Sequence, residues 1–156
     1  PNIQPVTVIV LLVGIHFGAT RSIIFATSIA LVSNLFIGHG LWTVYQATGW
    51  SMIGILGAII SSKIYVNSKL SINPLMYIAA LCGFVFDWIV SLSALHVINP
   101  DLFLLYILSG IPFDVLHAAG NMFFVAWLAV PLSEIMTRHI SIEQPSVVEN
   151  FAKTRL

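Results

Sequence analysis

Gly38-His39-Gly40-Leu41-Trp42-Thr43 and Phe113-Asp114-Val115-Leu116-His117-Ala118-Ala119-Gly120-Asn121 decide how this chain is read. They hold most of its polar and aromatic chemistry, and the sequence around them is built for lipid. Of the 156 residues, 58% are hydrophobic and 8% are charged, whereas charged residues make up about a quarter of a soluble domain. The sequence therefore predicts an all-α integral membrane protein, a polytopic helical bundle with one polar pocket. Six basic residues balance six acidic ones, which leaves no electrostatic case for nucleic acid. The single cysteine, Cys82, excludes an internal disulfide and a cysteine-rich metal site.

A bilayer-crossing helix needs about 20 mostly apolar residues, and on that rule the chain holds about five spans. They form one transmembrane domain, residues 1–139, followed by a cytoplasmic tail, residues 140–156. The first span, residues 5–17, is short and closed by Gly14 and Gly18 ahead of Arg21. In the second, residues 22–36, Ala26 and Ala30 give a small-residue face suited to close helix contact. Gly49, Gly54 and Gly57 thin the third, residues 44–62, and a polar turn through Asn67 and Ser68 follows. The fourth, residues 74–97, opens on Pro74, a residue favoured in a helix's first turn, and ends at Asn99-Pro100-Asp101. Residues 102–111 are too short to cross and read as an interfacial helix or lid, cut by Gly110-Ile111-Pro112 from the fifth span, residues 112–136.

Cytoplasmic loops are enriched in Lys and Arg. Arg21, the pair Lys63 and Lys69, and Arg138 follow alternate spans, whereas residues 1–4, 37–43 and 98–112 carry no Lys or Arg. The expected orientation is N-terminus outside and C-terminus cytoplasmic, in the cell membrane with lipid around the bundle.

An ionisable group inside a span costs about 2.5 to 3.5 kcal/mol on insertion scales, so each one asks for a function and a partner. Asp114, His117 and Asn121 are spaced i, i+3 and i+7, which puts them on one helix face. Phe84, Asp87 and Ser91 repeat that spacing in span four, with Trp88 beside the acid. Measured from the outer span ends at ~1.5 Å per residue, Asp87 and Asn121 are expected at similar depth. Tyr45, Gln46 and Trp50 hang below the Trp42 loop, and Asn34 lies near them in span two. Polar and aromatic groups from several spans thus converge on the outer side, the pattern of a small-molecule site. No HxxxH or HxH spacing points to a metal, and nothing matches a P-loop, a nucleophile elbow or a dinucleotide fingerprint.

The run Ser33-Asn34-Leu35-Phe36-Ile37-Gly38-His39-Gly40-Leu41-Trp42-Thr43-Val44-Tyr45-Gln46, a glycine-rich helix after it, and later Pro112 through Asn121 together resemble the substrate-binding S component of energy-coupling factor (ECF) vitamin transporters. More narrowly they resemble its cobalamin or corrinoid branch, over roughly residues 1–138. The resemblance implies a six-helix bundle, an external pocket closed by loops, and no enzymatic activity or cofactor. It also implies a separate transmembrane coupling protein with two cytoplasmic ATPases, and an S component that topples to carry its substrate inward. Five spans with the N-terminus outside is what loss of a first helix would leave, and the chain opens on Pro1 with no initiator Met. In the family that first helix carries the AxxxA docking face.

On this reading Trp42, Tyr45, Gln46 and Trp50 line one wall, and Asp87, Asp114, His117 and Asn121 orient the substrate by hydrogen bonds. Asn34, Trp88 and Phe113 complete the set, with His39 and its glycines as the lid. The expected ligand is a vitamin-class small molecule, cobalamin or a precursor being favoured. Two other classes use the same residues. An intramembrane enzyme would employ Asp87 and His117 as a base pair, which requires them within hydrogen-bond reach. A structural subunit of a larger complex would fill the outer pocket with side chains.

Overall fold

A computed structural model describes residues 3–66 and 69–143. Four helices dominate: α1 (Val6–Ile37), α2 (Leu41–Ile60), α3 (Ile72–Ser91) and α4 (Phe103–Glu143). Between α2 and α3, β1 (Tyr65–Val66) pairs antiparallel with β2 (Lys69–Leu70). Two 3-10 turns, Leu92–His96 and Pro100–Leu102, lead from α3 into α4. By length and composition all four helices can cross a membrane, so the chain is an all-α helical membrane protein. The expected Asn67–Ser68 turn and residues 144–156 of the expected tail lie outside the described residues, as do Pro1 and Asn2.

Gly18 sits inside α1 at φ 84° and ψ 175°, a conformation that only glycine adopts without strain. There the chain folds back, because the Ser22 hydroxyl donates to the Val10 carbonyl at 3.2 Å. A continuous helix would hold those residues ~18 Å apart. The boundary between the first two spans is therefore a break within one helix, whose arms cover residues 6–17 and 19–37. The Asn34 carbonyl then accepts the Gly38 amide, and the Thr43 hydroxyl caps the Gly40 amide at the head of α2.

The second expected boundary is absent. Rather than ending an interfacial segment at Gly110-Ile111-Pro112, the chain runs as one 41-residue helix through both Pro112 and Pro131. Proline removes a single intrahelical bond, whereas a loop in lipid would strip partners from many backbone groups at once. At ~1.5 Å per residue α4 is ~60 Å long, about twice the ~30 Å hydrocarbon core. It therefore projects beyond the core, and residues 140–143, expected as tail, are its last turn.

Close backbone contact locks the helices. A Cβ on Gly14 would strike the Gly54 carbonyl, and one on Gly57 would strike that of Leu11, so these glycines let α1 and α2 meet at van der Waals distance. Gly83 does the same for α3 against α4, where a Cβ would stand 3.0 Å from the Asn121 amide nitrogen. Ala26 and Ala30 are wholly buried, so their small-residue face is used inside this chain. Leu35, Phe36, Tyr77, Leu81, Leu104 and Trp127 point outward, as side chains facing lipid would.

The basic residues among those described gather at one end. The Arg21 guanidinium lies 5.8 Å from the Phe17 ring centre, and Phe17 meets His139 edge-on, beside Arg138. Tyr65, two residues past Lys63, reaches the same end through its hydroxyl, 2.8 Å from His16 Nε2 and 3.1 Å from Ser133 Oγ.

Candidate functional site

At the opposite end α3 and α4 run antiparallel and set Asp87 against His117. The His117 Nδ1–H donates to Asp87 Oδ2 at 2.9 Å, with the imidazole wholly buried. Its Nε2 faces the Thr7 hydroxyl at 3.2 Å, and that oxygen accepts the Trp50 indole N–H at 3.3 Å. Trp50 to Thr7 to His117 to Asp87 is thus one directed chain that fixes the Nδ1–H tautomer and links all four helices. Phe86 seals it, stacking on Trp50 at 4.7 Å and standing edge-on to His117 at 5.7 Å.

A second network secures α1 to α2. Asn34 donates to the Gln46 side-chain oxygen at 2.6 Å and accepts the Trp42 indole N–H at 3.1 Å. In the third, the Trp88 indole donates to Asp114 Oδ2 at 3.1 Å, bridging α3 to α4.

These networks surround a pocket of about 370 Å³. Polar groups reach it from four parts of the chain: Gln4 ahead of α1, Gln46 of α2, Asp87 and Ser91 of α3, and Asp114 of α4. Phe86, Phe113 and Tyr106 supply flat apolar surface, and Ser109 and Gly110 complete the α4 side. Its size falls in the range of small-molecule sites, about 300 to 1,000 Å³.

Of the residues singled out by sequence, Gln46, Asp87, Phe113 and Asp114 line this pocket. Asn34 and Trp42 hold Gln46 from behind, Trp88 holds Asp114, and Trp50 and His117 lie behind Phe86 and Asp87. Tyr45 pairs instead with His96, its hydroxyl 3.1 Å from Nε2, and His39 stands exposed in the α1–α2 loop. Asn121 departs from its expected place. It donates to the Ala79 carbonyl at 3.0 Å, two helical turns of α3 beyond Asp87, and so lies beneath the pocket. Equal counts from span ends misjudged its depth because α4 begins at Phe103 and slides relative to α3.

Sequence reasoning missed Gln4, Tyr106 and Ser109 as lining residues and Thr7 as a network member. Tyr106 and Ser109 sit three apart, and with Gly110 and Phe113 they continue the face of Asp114 once α4 is unbroken; that signal was hidden by Pro112. A lone Thr7 in an apolar run carries no such signal.

The fold and site together define a helical membrane protein with a polar-rimmed pocket at the end of the bundle remote from Arg21, Lys63 and Arg138. No family model, curated protein or solved structure matches this chain.

Proposed function

We propose that this chain is the substrate-capturing subunit of an ECF-type importer, one that binds a vitamin-class small molecule outside the cell. Delivery inward would run through a separate transmembrane coupling protein driven by two cytoplasmic ATPases. The observation carrying this reading is the pocket of about 370 Å³, rimmed by polar groups from α2, α3, α4 and the residues ahead of α1. Cytoplasmic loops favour Lys and Arg, so the end bearing Arg21, Lys63 and Arg138 would face the cytoplasm and the pocket would open outward.

The volume bears on the ligand. At ~30 Å³ per water the pocket holds about a dozen water volumes, enough for one heterocyclic vitamin ring with a short substituent. A corrinoid would keep most of its bulk outside. Calorimetric titration of the purified full-length protein with a panel of vitamins and precursors tests the proposal. Saturable binding of one member, recovered with unchanged mass, is expected; binding of none overturns it.

The 2.9 Å contact between Asp87 and His117 satisfies the distance an intramembrane enzyme would need. Both imidazole nitrogens, however, are engaged by Asp87 and Thr7, and the ring is wholly buried. A general base needs a nitrogen within reach of its substrate, and His117 offers none to the pocket. A bound molecule recovered chemically altered would favour the enzyme.

A further inference from the structure

We infer that the pocket takes a small cationic heteroaromatic molecule; this rests on the capture reading and names its ligand class. Two carboxyl groups, Asp87 and Asp114, face the pocket, and neither Lys nor Arg is among its lining residues. The elements carrying Arg21, Lys63 and Arg138 meet at the far end of the bundle. The indole of Trp88 and the Nδ1–H tautomer of His117 are both neutral donors, so neither brings positive charge to the two carboxyl groups. A ligand carrying a carboxylate would meet like charge there, whereas a cation would meet charge of the opposite sign.

The geometry of Asp114 sharpens this. Its Oδ2 is taken by Trp88, while Oδ1 faces Gly110, where even an added Cβ would remain 3.8 Å away. Gly110 and Asp114 both line the pocket, so this carboxyl group stands at its wall. Phe86 and Phe113 belong to the same lining, and aromatic rings attract cations within ~6 Å of their faces. Among the described residues no three His, Cys, Asp or Glu side chains come together as ligands for a bare metal ion. The cation is therefore organic and flat, with its remaining polar atoms met by Gln4, Gln46 and Ser91.

The test compares three compounds built on one ring: 1-methylnicotinamide as cation, nicotinamide as neutral form and nicotinate as anion. Each is titrated into the purified full-length protein while tryptophan fluorescence is followed, Trp88 being the reporter beside Asp114. The cation is expected to bind about tenfold or more tighter than the anion, with an advantage that shrinks at high salt. Asp114→Asn keeps an oxygen for the Trp88 indole, so it should fold and lose the preference for the cation over the anion. Equal or tighter binding of nicotinate overturns the inference, as does a cation preference that survives Asp114→Asn. Binding of a neutral or acidic vitamin but none of the three also overturns it while leaving the capture reading intact. If neither these compounds nor any vitamin binds, both fall.

Discussion

His117 has no exposure, and each of its ring nitrogens meets a different helix, Asp87 on α3 and Thr7 on α1. Truncating it removes the ring's hydrogen bonds to a buried carboxyl group and to a hydroxyl in one step. Removing one partner of a buried pair generally costs about 3 to 5 kcal/mol, and the edge of Asp87 that reaches the pocket offsets part of this. For His117→Ala we expect a loss of about 2 to 3 kcal/mol in denaturant unfolding from detergent micelles. Thr7→Val keeps the shape and removes two neutral hydrogen bonds, so about 1 kcal/mol is expected. A larger loss for Thr7→Val than for His117→Ala would place the anchor of the network at Trp50 instead. The sequence spacing of Asp114, His117 and Asn121 did place them on one face, and all three are buried. The partnership of His117 with Thr7 was not legible, because it spans 110 positions and joins helices whose register no local pattern encodes.

Among the elements, α1 turns on Gly18 and is held shut by α2. Nothing lies within 4 Å of a Cβ added at Gly18, so the cost of Gly18→Ala is backbone strain alone, about 1 to 3 kcal/mol. Gly14→Ala strikes the backbone of Gly54, which cannot move without displacing α2. We therefore expect thermal melts to show Gly14→Ala as the more destabilising of the two; the reverse order would mean that α1 and α2 slide apart cheaply. At the basic end His16, Tyr65 and Ser133 tie α1, β1 and α4 together: His16 Nδ1–H donates to the Leu12 carbonyl and Nε2 faces Ser133 Oγ at 2.7 Å. In Ser133→Ala the Tyr65 hydroxyl keeps Nε2 as its acceptor, so the loss should stay near ~1 kcal/mol. The glycines of α2 were legible as contact points. The unbroken α4 was not, because Gly110-Ile111-Pro112 is punctuation in water and only a local defect where lipid forbids a loop.

For the whole molecule, what matters is that the pocket and the described basic residues occupy opposite ends of one bundle. Composition and the spacing of apolar runs were enough to foresee long apolar helices and the segregation of charge, since each depends on residue type alone. The shape of the pocket was not foreseeable, because it depends on how far α4 slides along α3 and on where the residues ahead of α1 lie. If the basic end is cytoplasmic, the α1–α2 loop is outside and Lys63 is inside. Cysteine labelling reads this directly, because the one native thiol, Cys82, is buried and contributes little background. In intact cells His39→Cys should react with a membrane-impermeant maleimide, while Lys63→Cys should react only after permeabilisation; both positions are exposed, so reactivity reports the side of the membrane. The opposite pattern would turn the pocket toward the cytoplasm and end the capture reading. Labelling of both in intact cells would mean that the two ends of the bundle do not lie on opposite faces of the membrane.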